Sequence, residues 1–152
     1  DAFQAIQSNA QAYDPNAQIE GVLVTPMAEK GVEVIIGMLR DPIFGPVLMF
    51  GLGGIFVEVL EDVAFRSLPL TLHDAQSMVD QLKAQKVLAG VRGAAGVDKQ
   101  ALVSLLMQVS QLVEAYPEIS ELDLNPVIAY PKGHSAANYA IVDARIIVER
   151  QS

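Results

Sequence analysis

The sequence contains no cysteine and no tryptophan, and only two histidines, His73 and His134. Without cysteine there is no disulfide and no thiolate metal site. The two histidines lie far apart in the sequence, so a zinc centre is not expected. Cations are scarce too: 10 Lys and Arg against 18 Asp and Glu give a formal charge of −8. No basic cluster offsets that balance, which excludes nucleic acid as the main partner. An acidic domain still binds a nucleotide phosphate through a metal ion and backbone amides. Long apolar runs are missing as well. Arg40, Asp41, Glu58, Glu61 and Asp62 interrupt the richest region, so nothing reaches the ~18 residues of a membrane helix. The opening DAFQAIQSNAQAYDP lacks the basic start and apolar core of a signal peptide. The expectation is a cytoplasmic protein without a membrane partner.

What is present suffices for one core. The chain has 152 residues, 51% of them hydrophobic and 18% charged, which suits a single globular domain. Phe3, Ile6, Ala10 and Tyr13 are spaced as on one helix face, and Asp14-Pro15 ends that pattern. The stretch reads as the tail of a helix belonging to a preceding part, residues 1–18, ahead of a domain over 19–150. GVLVTPM (21–27) and GVEVIIGML (31–39) read as strands, and the short link between them predicts an antiparallel hairpin. Further strands are expected at 46–50, 55–60 and 62–70, divided by Asp41-Pro42, Gly45-Pro46 and the glycines at 51, 53 and 54.

One helix is expected over 72–90, with Asp74 as N-cap and Gly90 as stop. A glycine-rich loop (91–98) follows. Asp98 then caps a helix whose Leu102, Leu105, Leu106, Val109, Leu112 and Val113 share a face, ending at Pro117. ISELDLNPVIAY and ANYAIVDARIIVE read as two final strands joined at Pro131 to His134, with His134 exposed in the turn. Strands, then helices, then a hairpin argue for α+β with a mainly antiparallel sheet.

Few residues stand out chemically. Strand alternation puts Glu121, Asp123 and Asn125 on one face, and pairing with 138–148 brings Asp143 beside Asn125. An amide oxygen and a carboxylate suit a hard cation such as Mg²⁺. Asn before Pro also reads as a turn, and acids on a strand face are commonly solvated; spacing alone does not choose. Gly53 and Gly54 allow close approach of a phosphate to backbone amides or simply make a tight turn, and FGLGGIFVE matches neither dinucleotide nor P-loop fingerprints. Glu58 and Arg92 are either surface charges or groups aimed at a site. No Ser-His-Asp order and no thiol nucleophile is present.

Taken in order, EGVLVTPM, GVEVIIGMLRDPIFGPVLMFGLGGIFVEVLEDVAFRSLPL, AGVRG, ISELDLNPV and IVDARIIVER resemble the ATP-grasp β part of ADP-forming acyl-CoA (acetyl-CoA) synthetases. The β subunit of succinyl-CoA synthetase is a more distant likeness. The resemblance covers nearly the whole chain and implies an ATP-grasp C-terminal subdomain, an antiparallel sheet with helices on one side. It implies that Thr25, Pro26 and Met27 form the hinge holding adenine, that Glu33 faces the ribose, and that Asn125 and Asp143 hold Mg²⁺ on the nucleotide phosphates of ATP or ADP. Asp123 stands where succinyl-CoA synthetase has Glu and is a supporting or alternative ligand. Gly53, Gly54 and Glu58 match the segment lining the phosphate side, and Arg92 matches an Arg of the family's GxRG stretch.

The family reaction converts acid, CoA and ATP to acyl-CoA, ADP and phosphate through an acyl phosphate and a phosphohistidine. No residue here matches the carrier histidine. The partners implied are a nucleotide, the N-terminal ATP-grasp subdomain and a CoA-binding domain or subunit, with a homo-oligomer expected if the face that meets them pairs with itself. Two other readings remain open: a synthetase-like ligand-sensing module of a protein acetyltransferase fusion, and an interaction domain that binds no nucleotide.

Overall fold

A computed structural model describes residues 1–54, 61–90, 95–135 and 137–149. The strand expected at 55–60 lies outside them. Helix α1, Ala2–Tyr13, starts where the Asp1 carboxylate accepts from Phe3 N and contributes no buried residue. The sheet is built from β1 (Val32–Asp41), β2 (Gly45–Leu52), β3 (Val63–Ser67), β4 (Ile119–Ala129), β5 (Tyr139–Ile141) and β6 (Ala144–Val148). All pairings are antiparallel, in the order β3-β2-β1-β4-β5, with β6 also on β4.

The β1–β2 hairpin is specified locally. The Asp41 carboxylate accepts from Ile43 N and Phe44 N, both at 2.8 Å, and Gly45 takes a φ of 72°, which glycine adopts without steric cost. Those two amides, Phe44 first, hold the Asp41 carboxyl below the usual carboxylate range.

Alternation along the strands divides the sheet into two faces. Val34, Ile36, Met38, Leu48, Phe50, Leu52, Ala64, Leu122 and Leu124 join one buried cluster with Met78, Leu102, Leu106, Val109 and Val113 from the helices. The helices are α2 (Leu72–Gln81), α3 (Gln85–Ala89) and α4 (Lys99–Ala115). On the other face Leu39, Phe44 and Phe65 stay exposed among the described residues. The expectation of α+β with helices packed on one side is met.

Three sequence readings change. The segment 21–27 is no strand, because β1 already has β2 on one edge and β4 on the other and no ladder position is left for it. The helix expected over 72–90 divides at 82–84. The buried Asp62 carboxylate accepts from Lys83 N at 2.7 Å and Ala84 N at 2.8 Å, taking amides that would otherwise continue the helix ladder. Asp74 is not the N-cap of α2 but its third residue. Thr71 is the cap, and the two form a capping box that holds the Asp74 carboxyl low, through the Thr71 hydroxyl first and its amide second.

Candidate functional site

The site begins with an irregularity in β4. Val34 pairs with Val127 and Ile36 with Leu124, so three steps on β4 oppose two on β1. This is a β-bulge, in which Asn125 and Pro126 together face Ile35. Its effect is visible in burial. Leu122 and Leu124 point into the core before the bulge, Val127 and Ala129 after it. Side-chain parity switches at Asn125-Pro126, and Asn125 is left exposed on the face without helices.

The partner chain across from it is interrupted at the same level. The expected strand over 138–148 is two strands, with Val142 and Asp143 between β5 and β6. Asn125 N donates to Asp143 O at 3.1 Å, and Val142 N donates to Pro126 O at 3.0 Å. The pairs Leu124 to Ala144 and Val127 to Ile141 continue the register on either side. Directly opposed residues of an antiparallel pair project to the same face with Cβ atoms about 5 Å apart. The structure therefore brings Asn125 and Asp143 side by side, a placement that the expected strand pairing allowed and spacing alone left open. The ion pairs among the described residues are Lys99–Asp80, His134–Glu29 and Arg145–Glu121, so no cation of these occupies the Asp143 carboxylate.

Asp123 lies two residues before Asn125 and opposite Arg145. It lines a concavity of about 630 Å³ with Gly37, Leu39, Phe44, Met49 and Phe65. It shares the face of Asn125 but opens towards a more apolar region. Among the described residues no three His, Cys, Asp or Glu side chains gather as a metal cluster.

Glu33 is placed on the same face by β1, paired with Ile128 and two residues from Ile35 at the bulge. By strand geometry its Cα is roughly 8 Å from that of Asn125. Gly53 N donates to Glu33 O at 2.7 Å, and Gly54 takes a φ of 61°. Gly31, Glu33, Leu52, Gly53 and Gly54 line a concavity of about 300 Å³. A Cβ on Gly53 would sit 2.9 Å from the Glu33 Cβ and 3.2 Å from its carbonyl carbon. Gly53→Ala is therefore expected to push β1 and β2 apart at this end, costing about 1–3 kcal/mol by overpacking. A thermal melt of the variant beside the unaltered protein checks this.

The remaining sequence candidates are placed unevenly. Thr25, Pro26 and Met27 lie outside regular structure and are exposed, Met27 to 95%. They are not brought against the sheet by any contact in the described residues. Glu58 and Arg92 lie outside the described residues. His134, expected in solvent, is instead half-buried and stacked on Tyr130, with ring centroids 4.3 Å apart. The sequence held a signal for this only in retrospect: Tyr130 and His134 flank the tight turn that folds one over the other.

The profile of the family described as ATP-grasp domain matches residues 1–148. The chain belongs to the ATP-grasp family. That membership implies nucleotide binding. Similar curated proteins include the β subunit of acetate–CoA ligase [ADP-forming] II of Pyrococcus furiosus, 50% identical over 97% of this chain and 61% of its own length. Acetate–CoA ligase [ADP-forming] I of Archaeoglobus fulgidus is 48% identical over 97% of this chain but only 21% of its own. A structure of the dinucleotide-forming acetyl-coenzyme A synthetase 1 of Ca. Korarchaeum cryptofilum superposes with a TM-score of 0.76 and 49% identity, covering 94% of this chain and 64% of that one. It was solved with coenzyme A and Mg-AMPPCP, its phosphohistidine segment pointing towards the nucleotide site.

This ATP-grasp chain thus spans about three fifths of a related β subunit and about a fifth of a longer relative. Both relatives are longer than this chain. No helix of the described residues is long and apolar enough to cross a membrane.

Proposed function

We propose that this chain is the nucleotide- and Mg²⁺-binding C-terminal subdomain of an ADP-forming acyl-CoA synthetase. The whole enzyme would convert an acid, CoA and ATP to acyl-CoA, ADP and phosphate. The observation that carries the reading is the backbone pairing of Asn125 with Asp143 across a bulge in β4. It joins two hard oxygen donors on a rigid sheet, beside Glu33 and two glycines.

The donor set fits Mg²⁺. That ion favours oxygen ligands, keeps several waters and is commonly held by one or two carboxylates plus substrate phosphates. Here the Asn125 amide oxygen and the Asp143 carboxylate would hold it, with Asp123 as a supporting acid. When bound, the ion neutralises charge on the nucleotide phosphates. The rest is positioning by the chain itself. Glu33, roughly 8 Å along the same face, accepts the ribose hydroxyls. Gly53 and Gly54 allow the backbone to approach the phosphates, and Thr25 to Met27 offer backbone groups to the base. Phosphoryl transfer depends on such positioning and on electrostatic stabilisation more than on covalent work by the protein.

The CoA site, the carrier histidine and the other ATP-grasp subdomain would come from the rest of the polypeptide or from a companion subunit. The test is a coupled assay of ADP and phosphate release with acetate and CoA. The complete protein with its companion is expected to turn over, whereas residues 1–152 alone are expected to show no turnover and weak nucleotide affinity. Turnover by residues 1–152 alone would overturn the division of labour. Nucleotide binding without turnover in the complete assembly would favour a sensing module instead.

A further inference from the structure

The contacts around His134 connect two parts of the molecule that the sequence keeps apart. The imidazole Nε2 lies 3.1 Å from the Glu29 Oε2. Its ring stacks on Tyr130 at an interplanar angle of 15°. The Tyr130 hydroxyl donates to Glu29 O at 3.4 Å. Tyr130 is itself anchored: its N donates to Asn138 O and its O accepts from Asp98 N, both at 2.9 Å. Two residues beyond Glu29 the chain presses onto the same strand end. A Cβ at Gly31 would lie 2.6 Å from Ala129 O and 3.0 Å from the Tyr130 ring. The segment from Glu29 to Gly31 is thus clamped on the end of β4. It joins Thr25 to Met27, which have no anchor of their own among the described residues, to Glu33.

A carboxylate only accepts, so the His134 Nε2 carries the hydrogen. The Nδ1 atom is buried and has no partner among the described residues. The titratable groups touching the ring are the Glu29 carboxylate, from the segment entering β1, and the Tyr130 phenol, from the end of β4. Lys30 and Lys132 adjoin them in sequence and are exposed.

We propose that His134 is a positioning residue for nucleotide binding, a latch that fixes the Glu29–Gly31 segment and through it the chain that carries Thr25 to Met27 towards Glu33. The inference rests on the nucleotide-site reading given above and adds a positioning residue to it. Glu29 is largely exposed, so the pair is worth little by itself. The effect expected is correspondingly modest.

The experiment uses the complete protein and Mg-ADP as probe, with affinity measured by titration calorimetry at one fixed pH. His134→Ala is expected to weaken binding by about two- to fivefold. His134→Gln keeps a donor to Glu29 and should recover most of that affinity. Glu29→Ala removes the acceptor and should weaken binding about as much as His134→Ala, with the double variant no weaker than either single one.

Unchanged affinity in His134→Ala, in a protein that binds Mg-ADP, overturns the latch and leaves the nucleotide site standing. Failure of the unaltered complete protein to bind Mg-ADP overturns the nucleotide reading itself, and the latch with it.

Discussion

Asn125→Ala and Asp143→Ala, each in the complete protein, are expected to weaken Mg²⁺-dependent nucleotide binding by about 100-fold or more. Removing even a residue that only orients a ligand typically costs 10–100-fold in metal affinity or activity, and these two would be the ligands themselves. The fold should survive. Both side chains are exposed on the open face, and the Asn125–Asp143 contact in the structure is a backbone hydrogen bond that alanine retains. Surface changes of that kind stay within about 0.5 kcal/mol.

Two controls separate metal ligation from general damage. Nucleotide affinity measured without divalent ions should be nearly the same in variant and parent. Asp143→Asn, which keeps an oxygen donor but removes the charge, should fall between parent and alanine. Unchanged Mg²⁺-dependent affinity and turnover in both alanine variants would remove the metal assignment.

Phe50→Ala is expected to have the largest effect on stability. Phe50 is fully buried at the centre of β2, paired with Ile36 of β1 and Ala64 of β3. It belongs to the cluster in which the sheet meets Met78, Leu102 and Leu106. Truncating a buried Phe loses its transfer free energy and leaves a cavity that the rigid sheet cannot close, a cost of about 3–5 kcal/mol. Against a typical total of about 5–15 kcal/mol, that loss unfolds an appreciable fraction at moderate temperature. Chemical denaturation should show a lower midpoint with an unchanged slope. Phe65→Ala, on the same sheet but exposed on the open face, is the matched comparison and should cost much less. Equal losses at the two positions would mean that the open face is packed like the core.

How much of this was legible depends on the range of the interactions involved. The helix over 99–115 could be read to within a residue or two, because its stripe and the Asp98 cap lie within a few turns. The β1–β2 hairpin was not read as such. Its strands were identified, but 31–39 was assigned to a partner at 21–27, since proximity in sequence favoured the nearer apolar run. The actual neighbours of β1 are β2 and the distant β4. The single helix expected over 72–90 failed for a comparable reason. The group that ends it, the Asp62 carboxylate, sits 21 and 22 positions before the amides it takes.

For the site, residue types were informative but their roles were not. Asn125 and Asp143 could be named as oxygen donors on two strands, and the pairing was anticipated. The turn reading of Asn-Pro was half right in physical terms: the dipeptide does break regular alternation, but as a bulge inside a continuing strand and not as its end.

By itself the sequence determined the absence of thiol and clustered-histidine chemistry, the acidic balance, the α+β class, and the order of motifs that resembles an ATP-grasp. Those properties follow from composition and from periodicities of two and 3.6 residues, which act over short distances along the chain. Only the tertiary structure decided which strands are neighbours and where β4 gains its extra residue. It alone set Asp143 opposite Asn125 and folded His134 against Tyr130 and Glu29. Each of those depends on hydrogen bonds and packing between segments far apart in the chain, and the register of such pairings is fixed when all of them are satisfied at once.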